Sequence, residues 1–214
     1  MSPRVTRLAP LTGVVFAVLT FIAFFSGGET PDSNASPVKV LAYYAAHKSE
    51  IETSAVLVAF AFLFAVFWAG ALAAYLRRAG ASSGLTGLII GGAVLMAVGA
   101  GILAGTEYGL AHNLHYIGPQ TAQTLNILNN QLFLPLVIGG CVFAIASGLA
   151  ILATAALPSW LGWIAVVLGI VTAIPPIGFF ALLVLLVWTL IVSVLIYLRS
   201  DDRETAQSAP APAT

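Results

Sequence analysis

Residues 84–115 read GLTGLIIGGAVLMAVGAGILAGTEYGLAHNLH, an apolar run that ends in a cluster of polar groups. The run follows Arg77 and Arg78, and its first charged residue is Glu107. Small residues recur at every fourth position: Ala93, Ala97, Gly101, Gly105 and Gly109. On a helix they stack into one smooth ridge, against which a second helix can pack closely in lipid. Just past the ridge stand Glu107, His112, Asn113 and His115, including two of the chain's three histidines. The stretch predicts a transmembrane helix that packs through its small residues and carries polar chemistry at one end.

The rest of the chain has the same character. Hydrophobic residues make up 60% of its 214 residues and charged residues 7%, with a mean hydropathy of +1.02. Soluble domains carry roughly 25% charged residues, so a bilayer must be the solvent for most of this chain. Eight basic and eight acidic residues balance, with no basic block, which sets nucleic acid aside as a partner. The single cysteine, Cys141, excludes an internal disulfide and any cysteine-rich metal site.

The same criterion of about 20 apolar residues places five further spans, giving six at about 8–28, 53–76, 85–107, 132–157, 158–174 and 177–198. The first competes with a cleaved signal peptide, for which its apolar region is too long. The fifth, with its flanking residues, reaches only about 27 Å. Pro175 and Pro176 then force a reversal, and Pro135 predicts a kink early in the fourth span. Spans two and four carry small-residue ridges of their own, at Ala61, Ala65, Ala69 and Ala73 and at Gly140, Ala144 and Gly148. These ridges make a homodimer or a partner membrane protein the expected association. Residues 199–214 read as a disordered polar tail.

Between the first two spans, GETPDSNASP (28–37) is a turn-rich linker, and Ser36-Pro37 is a helix start. The following segment puts Val40, Tyr44, His47 and Ile51 on one stripe, as in an interfacial amphipathic helix. No Gly or Pro separates it from the second span, so the two can run on as one helix. Placing both termini in the cytoplasm puts Arg4, Arg7, Arg77, Arg78, Arg199 and Arg203 inside and only Lys39 and Lys48 outside. That is the asymmetry the positive-inside rule expects. The fold class is therefore an all-α bundle of six transmembrane helices, with an extracytoplasmic amphipathic helix. The histidines and the amide-rich segment 116–131 then fall on the outer face.

Two candidate sites follow. His112 and His115 lie about 60° apart around a helix, and His47 can approach from the interfacial helix. Such a donor set suits a divalent metal such as zinc, unless Gly109 breaks the helix. Glu107 is the one acid embedded in a span, and Asn126, Asn129 and Asn130 form a stripe with Gln123. They either bind a polar ligand or hydrogen-bond neighbouring helices. Three functions remain: a non-enzymatic accessory or sensor-like protein, a small-solute or ion transporter using Glu107 and the stripe, or a metal-dependent enzyme at the histidines.

Four stretches carry a family likeness: LPSWLGWIAVVLGI at 157–170, a proline followed by YYAAH ending at His47, LRRAG at 76–80 and WTLIVSVLI at 188–196. Together the chain resembles a large group of uncharacterised multi-pass integral membrane proteins of high-GC bacteria, grouped as a domain of unknown function. The resemblance spans about residues 8–198. It implies a bacterial cytoplasmic membrane and a multi-pass architecture, and brings no ligand or catalytic residue with it.

Overall fold

The computed structural model describes residues 8–26, 28, 30–174 and 177–208, the last nine of these by backbone alone. The expectations for Arg4 and Arg7, for the reversal at Pro175 and Pro176, and for residues 209–214 lie outside the described residues. Within them the chain is helical throughout, with no strand. A 3-10 turn at Ala9–Leu11 leads into α1 (Thr12–Ser26). It is followed by α2 (Pro37–Ala46), α3 (Lys48–Arg78) and α4 (Ser83–His112). A second 3-10 turn, Leu114–Tyr116, precedes α5 (Pro119–Gln131), α6 (Leu134–Thr154), α7 (Ser159–Thr172) and α8 (Ile177–Ser208).

Among the described residues, five stretches are long and apolar enough to cross a membrane: Ala9–Ser26, Lys48–Arg78, Ser83–His112, Pro119–Thr154 and Ile177–Arg199. The sixth expected crossing, α7, has 14 residues and a helical length of about 21 Å, short of a bilayer core of about 30 Å. Large apolar side chains point away from the bundle all round it, among them Phe60, Phe67, Val98, Trp163 and Phe180, each at least half exposed. An apolar exterior of that extent calls for lipid, and this is the architecture of a membrane protein.

Six helices form a closed ring in the order α1, α3, α4, α6, α7, α8, with α8 returning to α1. Backbone contacts set their closeness. A Cβ at Gly99 would sit 2.3 Å from the Leu136 nitrogen, one at Gly92 2.5 Å from the Phe143 nitrogen, and one at Gly139 2.3 Å from the Met96 nitrogen. Helices α4 and α6 therefore meet through Gly92, Gly99 and Gly139, which corrects the expected ridge. Gly101, Gly105 and Gly109 have nothing within 4 Å of an added Cβ, and only Ala93 of that ridge is deeply buried. The α3 ridge does pack: Ala61, Ala65, Ala69 and Ala73 are all at most 2% exposed. So does that of α6, where Gly148 lies against the Gly162 carbonyl of α7.

Other boundaries also move. Helices α2 and α3 do not run together, because His47, at φ −110° and ψ 20°, separates them. Gly109 breaks nothing, and α4 continues to His112. Pro135 lies in the first turn of α6 rather than inside a helix, where a missing N–H is harmless. Helix α8 continues beyond Arg199 to Ser208, into the segment read as a tail. After α6, Ala155 takes a left-handed φ of 49° to turn the chain toward α7.

The two ends of the ring differ. At one, the Tyr75 hydroxyl and the Arg199 guanidinium both donate to the Ala156 carbonyl, and Arg77 donates to Thr86 Oγ1. At the other, α2 lies against α5 and the two form a cap. Its core holds Val40, Tyr44, Ile51, Leu110, Ala111 and Ala122.

Candidate functional site

The cap is held down by hydrogen bonds from the amide stripe. Asn126, 1% exposed, accepts from the Tyr44 hydroxyl at 3.2 Å through Oδ1 and donates to the Pro31 carbonyl at 2.9 Å through Nδ2. Asn130 Nδ2 donates to the same carbonyl and to Ser33 Oγ, each at 3.3 Å. Gln123 Nε2 donates to the Ala35 carbonyl at 2.8 Å. The linker thus gains partners for carbonyls that no helix satisfies, as buried backbone requires. Burial, then the nearby Glu107 carboxylate, and then Tyr43 hold the Tyr44 phenol well above its ordinary range.

Asn129 turns the other way, into the bundle. Its Nδ2 donates to Glu107 Oε1 at 3.0 Å, joining cap to ring. Its Oδ1 is buried with no hydrogen-bond partner among the described residues. Glu107 in turn lines a partly open chamber of about 230 Å³ between α1, α3, α4, α6 and α8. Apart from Thr20 and Thr189 the wall is built mainly of apolar side chains, among them Phe16, Phe62, Met96, Leu136, Phe143 and Leu186. Trp68 also lines it, 1% exposed, and its indole N–H has no partner among the described residues.

The histidines are dispersed in role. His47 stacks on Tyr43, with centroids 4.5 Å apart, and its Nδ1 lies 3.0 Å from the Tyr43 carbonyl. His112 stacks on Tyr108 and places Nδ1 2.9 Å from Glu52 Oε1, an oxygen also 3.8 Å from Lys48 Nζ. His115 meets the ring of Tyr116 edge-on. Among the described residues, no three His, Cys, Asp or Glu side chains group closely enough to hold a metal ion.

Of the expected ligand-binding set, the structure brings Glu107 and Asn129 together and gives Asn126 and Asn130 to the linker. Sequence reasoning missed the Glu52–His112 contact, which joins residues 60 positions apart, and the chamber itself. The α4 signal for the chamber was present: Ala93, Met96, Ala100, Ala104 and Glu107 recur at helical spacing and line it in order.

No protein-family model matches the chain, and comparison with the curated proteins and with the solved structures finds no match either.

Proposed function

We propose that the protein is a six-span component of a bacterial cytoplasmic membrane, with both termini cytoplasmic and the cap outside, acting through interactions as an accessory or sensor-like subunit. The observation that carries this is the cap itself. Five amide and phenol hydrogen bonds, among Tyr44, Gln123, Asn126 and Asn130 and the linker, fix it in one pose. A pose fixed in advance loses little order on binding. On it Tyr116 is 86% and Val38 70% exposed, available to a partner at the membrane surface. The likeness to multi-pass proteins of high-GC bacteria supports the location, and the arginines at the end opposite the cap support the orientation.

A photo-crosslinking residue at Tyr116, in cells, tests the reading. The expected result is one discrete adduct with another membrane protein or a second copy, absent when the same residue replaces lipid-facing Phe67. Equal, diffuse labelling from both positions overturns it. A transport reading, with Glu107 as the ion- or solute-binding group, is favoured by one observation: Glu107 lines the chamber between the helices. It predicts proteoliposome uptake that collapses in Glu107→Gln.

A further inference from the structure

The chamber is continuous with the lipid-facing surface, and its occupant goes beyond the accessory reading. The seam between α1 and α8 is where the two meet. Away from the cap this seam is closed: a Cβ on Gly13 of α1 would overlap Ser193 Oγ of α8. Toward the cap the helices meet through rings instead, Phe24 of α1 and Phe179 of α8, with centroids 5.7 Å apart. Both rings line the chamber, and both stand at the surface, 48% and 50% exposed. The chamber therefore reaches the outside beside them. Phe25 and Phe180 next to them are more exposed still, so the surroundings of the mouth are hydrocarbon. Deeper in the seam, Leu186 lines the chamber on one side and a shallow groove with Ala17, Phe21 and Ile22 of α1 on the other. A single side chain separates inside from outside there.

The wall offers little to water. Its polar residues are Thr20, Glu107 and Thr189, on three different helices. The Thr20 hydroxyl donates to the Phe16 carbonyl of its own helix at 2.8 Å, and Glu107 Oε1 accepts from Asn129 of the cap. A buried water needs about two to four polar partners, and apolar cavities stay dry and take apolar guests. A partner's helix, about 10–12 Å across, cannot pass a seam that one leucine spans. An unbranched hydrocarbon chain is thin and flexible enough to do so, and the bilayer supplies it at the mouth. The lining runs from Ala93 to Glu107 on α4 and from Phe179 to Thr189 on α8, so the chamber lies along the helices, as the lipid chains do.

We propose that the chamber holds an acyl chain of a phospholipid from the cap-side leaflet, which enters between α1 and α8 at Phe24, Phe179 and Leu186 and lies along Phe62, Met96 and Leu136. The chain is then part of the bundle's interior and completes the α1–α8 seam, while its headgroup stays at the bilayer surface.

Photolabelling of the whole protein, reconstituted with a phosphatidylcholine that carries a diazirine near the end of one acyl chain, tests this. Met96 and Val98 lie two residues apart on α4, at one depth. Met96, 5% exposed, lines the chamber, and Val98, 50% exposed, faces the lipid. Peptide mapping should find the mass of the whole phospholipid on Met96 or Phe62 as well as on Val98. Ala104→Phe, which fills the chamber, should cut the inner labelling at least tenfold relative to Val98. Gly87→Phe, on the open face of α4, should leave that ratio unchanged. Thermal melts establish that each variant is folded; Ala100→Leu replaces Ala104→Phe if the latter is not. Labelling confined to Val98 and other lipid-facing positions overturns the proposal, and so does inner labelling that holds its ratio to Val98 in the chamber-filling variant.

Discussion

Gly99 and Gly101 lie two residues apart on one helix and test what a small residue does in this bundle. A Cβ at Gly99 would press on the backbone of α6, 2.3 Å from the Leu136 nitrogen. Backbone cannot rotate aside, so α4 and α6 must separate, and Gly99→Ala should destabilise the protein by about 1–3 kcal/mol or more. At Gly101 nothing lies within 4 Å, and Gly101→Ala should be neutral or gain up to about 1 kcal/mol of helix preference. Thermal melts of the two variants in the same detergent decide; equal effects would mean that the α4–α6 contact is looser than the glycines imply. Both residues belong to runs of small residues spaced along α4. Periodicity shows that such faces exist but not which one meets a neighbour, and for that reason the expected ridge was one face out. Tyr44 makes a second residue-scale prediction. Its folded-state ionisation lies above the ordinary tyrosine value of about 10, so the neutral phenol belongs to the folded state. The stability this contributes is complete below that value and is lost as pH rises above it. Wild type should therefore lose more stability than Tyr44→Phe between about pH 9 and 11, as read from paired melts.

Among the elements, the cap depends on long-range polar contacts more than any part of the ring does. Asn126→Leu would leave the hydroxyl of Tyr44, a residue at 0% exposure, without its partner and the Pro31 carbonyl with only the longer bond from Asn130. An unpaired buried polar group costs about 1–3 kcal/mol. The loss should be local: hydrogen exchange should quicken across the linker, α2 and α5, while amides near Tyr75 and Ala156 stay protected. Exchange rising equally at both ends would show that cap and ring unfold as one unit. The helix start at Ser36 and Pro37 was legible, because Ser36 Oγ does accept from the Lys39 nitrogen and proline occupies the first turn. The break at His47 was not. No glycine or proline marks it: His47 stacks on Tyr43 four residues back, and the long-range contact beside it, Tyr44 buried against Asn126, is not written in the local sequence. The same holds for the start of α6, where proline gave the position of an irregularity but not its kind. A proline in a long apolar run is compatible with a kinked helix or a new one, and the turn at Leu132–Phe133 settles which.

At the scale of the molecule, composition and hydropathy made the membrane architecture legible, because excluding charge from most of a chain leaves few alternatives. The chamber was not, since a void belongs to five helices at once and no single segment records it. The number of crossings rests on α7. Its 14 residues fall about 9 Å short of a bilayer core of about 30 Å. Yet α7 lies along α6 by close glycine contacts, Gly162 beside Gly148 and Gly169 beside the Cys141 carbonyl. Trp188 of α8 then donates to the Leu161 carbonyl at 3.0 Å, and Arg199 reaches Ala156 in the turn between α6 and α7. Within each pair the contact positions run in opposite directions, 148 with 162 and 141 with 169, then 161 with 188 and 156 with 199, so α6, α7 and α8 run alternately up and down. A short helix in that position crosses if the bilayer thins locally or its flanks extend it, at a cost of fractions of a kcal/mol per Å. Cysteine labelling in a Cys141→Ala background tests the count. Ser83→Cys and Ser200→Cys should both resist a membrane-impermeant maleimide in intact cells and react after lysis, while Tyr116→Cys should react at once. Labelling of Ser200→Cys in intact cells, with Ser83→Cys still protected, would mean that α7 returns to the side it came from. The carboxyl end, with Arg199, would then lie on the same side as the cap, and five crossings would replace six.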